Sequence, residues 1–249
     1  FKKEREKEKM SAFVYPVPAG EPVFDLYTVT VNGDPVSLYT ARVSAIPFNR
    51  PWPGKQRPME QTELAAVLSL DMTEPVTIEI CWPAPVTEAI VRPVSKGVAV
   101  AFEGNTVRFT IEKPGQYSAE VNGRHHNLHI FANTPEEPVD PASFTYYFAP
   151  GVHEVGDLVL GSNESVYIAA GAVVHGGIQA YDAENIRICG RGILDYSKME
   201  RSDPLRWEKD GLSARTPAPT SALSSCPSPW TIPWCCWKAS PSGMPAGGR

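Results

Sequence analysis

The chain has 249 residues, of which 42% are hydrophobic and 20% charged, and its formal net charge is −5. Such a chain can bury the core of one large domain or two modest ones. The negative charge leaves no basic patch for nucleic acid, and no run of about 18 apolar residues could span a membrane. We therefore expect neither nucleic acid nor a membrane as a partner.

Proline and glycine are frequent, with 25 and 19 residues, which favours many short strands joined by turns over long helices. The five cysteines have no regular spacing, so we predict no disulfide framework, no metal site and no cofactor. No apolar segment followed by a small-residue cleavage site is visible near the N-terminus. By default we expect a cytoplasmic protein, and the location of the intact protein is left open.

The two ends differ in composition from the rest. Residues 2–9 are all Lys, Glu or Arg and precede Met10, which indicates a purine-rich leader (residues 1–9) translated by mistake, or a charged helical extension. Residues 213–249 contain no Asp or Glu but three Trp and three Cys, which is atypical of a disordered tail. Shifting the codons by two bases permits repeated Val-Thr-Leu runs, typical of a solenoid. We therefore predict a frameshifted tail, with a disordered tail as the alternative.

Residues 10–135 have the pattern of a β-sandwich. Alternating apolar residues predict strands at 27–31, 36–39, 76–80, 98–102, 106–111, 117–121 and 128–131. Turn signals separate several of them: Asn32-Gly33, Gly104-Asn105 and Asn122-Gly123. Residues 61–70 could form a short helix by composition, but their flanks favour a strand. Strands at this spacing, joined by such turns, are typical of a sandwich.

An aromatic and proline-rich loop at residues 47–54 contains three candidate carbohydrate contacts, Phe48, Arg50 and Trp52. Exposed aromatic rings can stack on sugar faces. The alternative, which we favour, is that these aromatic side chains pack onto the next domain.

Three histidines lie close together in the sequence, and alternation along a strand would place His125 and His129 on one face with Asn127. Metal sites need three or four converging ligands, and no carboxylate or cysteine has a matching spacing. We therefore interpret them as ordinary hairpin residues.

Residues 136–143 are rich in proline and acidic side chains and predict an interdomain linker. From residue 144 the pattern changes to apolar segments of about three to five residues, shorter than ordinary strands and separated by Gly or Ala. They lie at 144–148, 157–160, 165–168, 173–174, 185–188 and 192–195, with a turn at 150–153. Such segments predict the coils of a solenoid, with inward Val, Ile and Leu stacked in rows.

Three successive segments carry a family resemblance: residues 147–160, 166–174 and 185–195, the last containing Gly190-Arg-Gly-Ile-Leu-Asp195. They resemble the entry coils of bacterial polygalacturonase-like glycoside hydrolases, of the family 28 type in the pectin lyase-like β-helix superfamily. The resemblance implies an all-β fold. A β-sandwich at 10–135 would precede the first coils of a right-handed parallel β-helix at 144–212, truncated by the altered tail.

The resemblance also implies cleavage of α-1,4-galacturonide bonds in a pectic polysaccharide, with inversion. That chemistry uses two carboxyl groups about 6.5–9.5 Å apart, one as acid and one as base. The family supplies them from Asn-Thr-Asp-Gly and Asp-Asp motifs near a Gly-His-Gly, and none of these three motifs occurs here. We therefore predict no catalytic residue and no turnover in this chain. His175 is not equated with the family histidine, and Asp195, a carboxylate without a partner, is interpreted as structural.

Three alternatives stay open. A dextranase-like hydrolase pairs a sandwich with a β-helix in the same order, and polysaccharide lyases use the same fold. A non-catalytic carbohydrate-binding protein could also be built from these modules.

We expect the sandwich to fold independently and residues 144–212 to be poorly stable alone, because a solenoid end exposes unpaired backbone groups and apolar stacks. Limited proteolysis should leave a resistant core near residues 10–135, identified by mass spectrometry. The absence of any such core would contradict this expectation.

Overall fold

The computed structural model describes residues 11–45 and 61–198, and the backbone of Thr231–Pro233 and Trp237–Lys238. These residues are all-β apart from short turns of 3₁₀ helix. They form two compact units that divide between Pro138 and Val139, a boundary inside the segment 136–143. The leader at residues 1–9 lies outside the described residues. Within the described residues, no helix is long and apolar enough to cross a membrane.

The first unit is built from two sheets. Its strands are β1 Ala12–Val14, β2 Thr28–Val31, β3 Asp34–Val36, β4 Tyr39–Ser44, β5 Thr62–Met72, β6 Val76–Cys81, β7 Ala89–Arg92, β8 Val100–Glu103, β9 Thr106–Ile111, β10 Gly115–Val121 and β11 Leu128–Asn133. One sheet has the order β1-β5-β11-β10-β7, with β4 also paired to β5, and the other has the order β3-β2-β6-β9-β8. Neighbouring strands are antiparallel except β5 and β11, which are parallel.

Alternating side chains of both sheets fill one core. In β6, Ile78 and Ile80 are fully buried, and in β11 Ile130 is buried on the facing sheet. Burial of each such side chain stabilises the fold by about 1.5–3 kcal/mol relative to exposure. Apolar residues therefore alternate in these strands because every second side chain faces the shared core, as the sequence pattern indicated.

The turn signals were informative, although some strand limits were wrong. Asn32 and Gly33 both have positive φ, 53° and 92°, and join β2 to β3 in a two-residue hairpin. Residues 62–70 belong to strand β5, as favoured. The strand predicted at 36–39 is wrong, because the return strand β3 ends at Val36 and β4 begins at Tyr39. Short strands β1 and β7 were missed.

The second unit is a stack of coils. Its strands are β12 Tyr146–Phe148, β13 Gly151–Leu160, β14 Ser165–Ile168, β15 Ala172–Ala180, β16 Arg187–Gly190 and β17 Ile193–Asp195. They form two parallel sheets, β12-β14-β16 and β13-β15-β17. Tyr146 pairs with Val166 and Val166 with Ile188, so equivalent positions recur after 20 and then 22 residues. Parallel strands that repeat once per turn of chain define the stacked coils of a parallel β-helix.

Each coil buries its inward side chains in a common core. Val166 and Ile188 stack from one sheet, and Val174 and Leu194 stack from the other. At the corner between the sheets, Asn185 Nδ2 donates to Asn163 Oδ1 at 3.0 Å, and both asparagines have positive φ. On the outer face, the rings of Tyr147 and Tyr167 stack with centroids 5.4 Å apart. Apolar, polar and aromatic contacts thus all join neighbouring coils.

The coil strands are not uniformly short, which corrects the sequence-based expectation. β13 has ten residues and β15 nine, and the turn expected at 150–153 is largely strand. The two long strands stay paired through a register shift at Gly156, which aligns with Gly176. Glycine lets the backbone bend there without ending the hydrogen-bonded ladder.

Two short strands follow at the far end of the stack. β18 Thr231–Pro233 pairs antiparallel with β17, and β19 Trp237–Lys238 pairs antiparallel with β16. They therefore do not continue the parallel repeat. The frameshift at residues 213–249 stays a prediction.

The glycine bend gives a stability test. A β-carbon on Gly176 would lie 2.2 Å from the carbonyl oxygen of Gly156, and the φ of Gly176 is +152°. We expect Gly176→Ala to lower the free energy of unfolding of the coil unit by about 1–3 kcal/mol or more, measured by urea denaturation. Gly161→Ala is the matched control, because the nearest atom to its added carbon is 3.7 Å away and its φ is not positive. Equal losses in the two variants would contradict the proposed role of the bend.

Candidate functional site

Three ionisable side chains form a column across the coils. Glu154 in β13 pairs in register with His175 in β15, and His175 pairs with Asp195 in β17. The residues preceding the last two, Val174 and Leu194, belong to the inner core. Because side chains alternate along a strand, His175 and Asp195 lie on the outer face. We refer to Glu154, His175 and Asp195 as the outer column.

The two later members of the outer column are buried. His175 is 2% exposed and Asp195 is 5% exposed. Their closest polar atoms, Nδ1 of His175 and Oδ2 of Asp195, are 3.6 Å apart, which is too long for a hydrogen bond but close enough for a charge interaction. The other carboxylate oxygen of Asp195 accepts a hydrogen bond from the backbone N–H of Ser197 at 2.7 Å. The carboxylate of Asp195 is therefore held by the backbone and lies beside the imidazole of His175.

The first member of the outer column is held differently. Lys198 Nζ donates to Glu154 Oε1 at 2.8 Å, and both side chains are more than half exposed. This hydrogen bond is the main cause that lowers the pKa of Glu154, and the charges of His175 and Lys198 add to it. The nearby charge of Asp195 and partial loss of water act in the opposite direction. At neutral pH the pair is therefore an ion pair.

The sequence interpretation treated Asp195 as isolated, whereas the structure places His175 beside it and Glu154 two coils away in the same column. His175 is an outer-face residue of the second coil of this sheet. The missed signal is the spacing of the three residues. They are separated by 21 and then 20 residues, which matches the length of a coil.

Two histidines of the first unit contact residues at the start of β5. His125 Nδ1 donates to Glu63 Oε2 at 2.6 Å, and His126 Nδ1 donates to the carbonyl oxygen of Leu64 at 2.8 Å. His126 has a φ of 56° and precedes β11, so the strand alternation predicted from His125 to His129 is wrong. Burial lowers the pKa of His129, and the charge of Glu63 partly opposes that effect.

These contacts hold the hairpin between β10 and β11 against β5. The hydroxyl group of Tyr27 also donates to the carbonyl oxygen of His126, at 3.0 Å. Glu63 could not be found by sequence spacing, because it is 62 residues from His125. Within residues 11–45 and 61–198, no group of three or more His, Cys, Asp or Glu side chains could hold a metal ion.

The candidate carbohydrate contacts Phe48, Arg50 and Trp52 lie outside the described residues, so they remain predictions. The outer column belongs to the second unit and the histidine hairpin to the first.

No protein-family model matches the chain, and no curated protein matches it. Among solved structures, it is similar to Dex49A from Penicillium minioluteum, with 17% identity and a TM-score of 0.48. The similarity covers 72% of this chain and 47% of that one, so the chain spans about half the length of the neighbour. The assignment of stacked coils rests on the strand registers described above.

The ion pair of the outer column predicts a measurable titration. In Lys198→Met, we expect the pKa of Glu154 to rise towards its ordinary range, because the variant removes the ammonium donor. Since the folded pKa is lowered, the stabilisation from this pair is present at neutral pH and is lost as pH falls through the folded pKa. The carboxyl chemical shift of Glu154, followed by NMR against pH, measures the change. An identical titration in wild type and Lys198→Met would contradict the assignment of the ion pair.

Proposed function

We propose that this chain is the N-terminal part of a polysaccharide-cleaving β-helix enzyme. Its substrate would be a pectic polysaccharide with α-1,4-galacturonide bonds, cleaved by the inverting mechanism that uses two carboxyl groups. The proposal has two parts, the β-helix and the polygalacturonase-like motifs, and they are supported by different observations. The coils rest on strand pairing. The substrate class rests on the resemblance of three segments.

The observation that carries the proposal is the position of the Gly190-Arg-Gly192 motif at a close approach between coils. A β-carbon on Gly190 would lie 2.0 Å from the carbonyl oxygen of Ile168, and Gly190 has a φ of +121°. A β-carbon on Gly192 would lie 2.3 Å from Cγ2 of Ile168. The glycines that contribute to the resemblance are therefore required by the geometry of the coil. This links the motif to the fold more firmly than to the substrate.

The outer column is not proposed as the pair of catalytic carboxyl groups. Asp195 is buried, and one of its oxygens accepts a backbone hydrogen bond from Ser197. Glu154 is engaged by Lys198. An inverting pair must leave room between the carboxyl groups for a sugar and a water molecule, whereas buried His175 occupies the position between these two. We place the general acid and base in further coils of the whole protein.

Assays of two proteins distinguish the possibilities. One protein is this chain. The other is the longer product that is expressed once the gene has been sequenced through codons 205–249 and beyond. We expect this chain to release no reducing sugar from polygalacturonate. The longer product should cleave polygalacturonate, and proton NMR should show the β-anomer first, because inversion of an α-linkage gives that anomer. Turnover by this chain would contradict the proposed location of the catalytic residues.

The same assay separates the alternatives. Cleavage of dextran but not polygalacturonate would support a dextranase-like hydrolase. An unsaturated uronate product would indicate a lyase, because a lyase abstracts a proton rather than adding water. Binding of polygalacturonate by the longer product without turnover would support a non-catalytic carbohydrate-binding protein. Each of these three results would overturn the pectic hydrolase proposal.

A further inference from the structure

Burial on the outward face of this sheet differs between coils. In the first coil, Val152 and Val159 are 37% and 55% exposed. In the next two coils, the outward side chains are buried, and these include the ionisable His175 and Asp195 as well as Val173 and Ile193. Buried ionisable groups on an outward face require a covering segment, since polar side chains are otherwise left in water there.

Residues 196–198, which we call the strap, cross the column. Ser197, the middle residue of the strap, donates its backbone N–H to Asp195. Lys198, the last residue, reaches Glu154, 44 residues back along the chain. Glu154 and Asp195 are two strands apart in the sheet, about 10 Å at the usual strand spacing. Because His175 lies between them in register, the reach of Lys198 from the Asp195 side to Glu154 passes the position of His175.

The first residue of the strap, Tyr196, packs against a glycine. A β-carbon on Gly177 would lie 2.5 Å from Cε2 and 3.0 Å from Cδ2 of Tyr196. The ring of Tyr196 is therefore in direct contact with the backbone of Gly177, two residues beyond His175. Each strap residue is thus held by one contact: Tyr196 at Gly177, Ser197 at Asp195 and Lys198 at Glu154.

We propose that the strap is a salt-sensitive cover, which shields His175 and Asp195 while the Lys198–Glu154 ion pair is intact and exposes them when that pair is broken. Both side chains of this pair are more than half exposed, at 53% and 66%. Exposed ion pairs are weak and are screened by salt. The contacts of Ser197 and Tyr196 lie closer to the coil, and neither of these two strap residues carries a formal charge. Opening therefore begins at the Lys198 end.

Chemical modification of histidine tests the cover directly. The full chain is treated with diethyl pyrocarbonate at neutral pH, and each modified imidazole is quantified by peptide mass spectrometry. His125, whose side chain is 59% exposed, serves as an internal reference in the first unit. In wild type at low salt we expect His175 to react much more slowly than His125. In Lys198→Met, or in wild type at high sodium chloride, His175 should react several-fold faster relative to His125.

Two further variants keep the result interpretable. Lys198→Arg retains the charge and should behave as wild type. Gly177→Val should displace the ring of Tyr196 and expose His175 even at low salt. Backbone amide exchange in β15 reports whether the coils themselves stay intact.

Three outcomes would overturn the proposal. The first is that His175 reacts as fast as His125 in wild type at low salt. The second is that His175 stays protected in Lys198→Met, so that the ion pair does not control the cover, or in Gly177→Val, so that another segment covers it. The third is that amide exchange in β15 rises together with modification, so that the coils open rather than the strap.

Discussion

The second unit depends on one constraint: successive coils must have nearly the same length to keep their backbone hydrogen bonds in register. Val166 follows Tyr146 by 20 residues and Ile188 follows Val166 by 22, while both pairs remain hydrogen-bonded neighbours. Small differences in coil length are absorbed at the corners, where Asn163 and Asn185 adopt positive φ. Once the register is set, every side chain has a defined neighbour one coil away.

That register also explains the glycines. Strands in neighbouring coils lie about 4.8 Å apart, so a local bend brings backbone atoms of one coil close to the next. Gly176 faces the carbonyl oxygen of Gly156, and Gly190 faces that of Ile168. Any β-carbon at these positions would collide with the preceding coil. Glycine here is therefore a requirement of stacking.

Features that depend on adjacent residues could be predicted from the sequence. The hairpin at Asn32-Gly33 was found because both residues adopt positive φ readily. The β5 strand was favoured over a helix because its flanks were β-like. Limits of strands were less accurate, as in β13, because a glycine inside a strand resembles a turn in sequence while the ladder continues through it.

Features that depend on register were not predicted. Glu154, His175 and Asp195 become neighbours only when the coil length is known, since no local pattern joins them. A search for ionisable residues repeated at the coil period would have found them. Glu63 and His125 have no such period, because their contact follows from the parallel pairing of β5 and β11. Tertiary pairing of this kind leaves no trace in the spacing of residues.

The antiparallel strands at the far end of the stack have a consequence for growth of the solenoid. β18 and β19 use the free edges of β17 and β16, which are the same edges that another parallel coil would need. Each edge has a single row of donors and acceptors, so termination and elongation compete for it. In this chain, β18 and β19 must leave those edges before another coil could pair there. Removal of β18 and β19 would expose the edges of β17 and β16, where a further strand could pair.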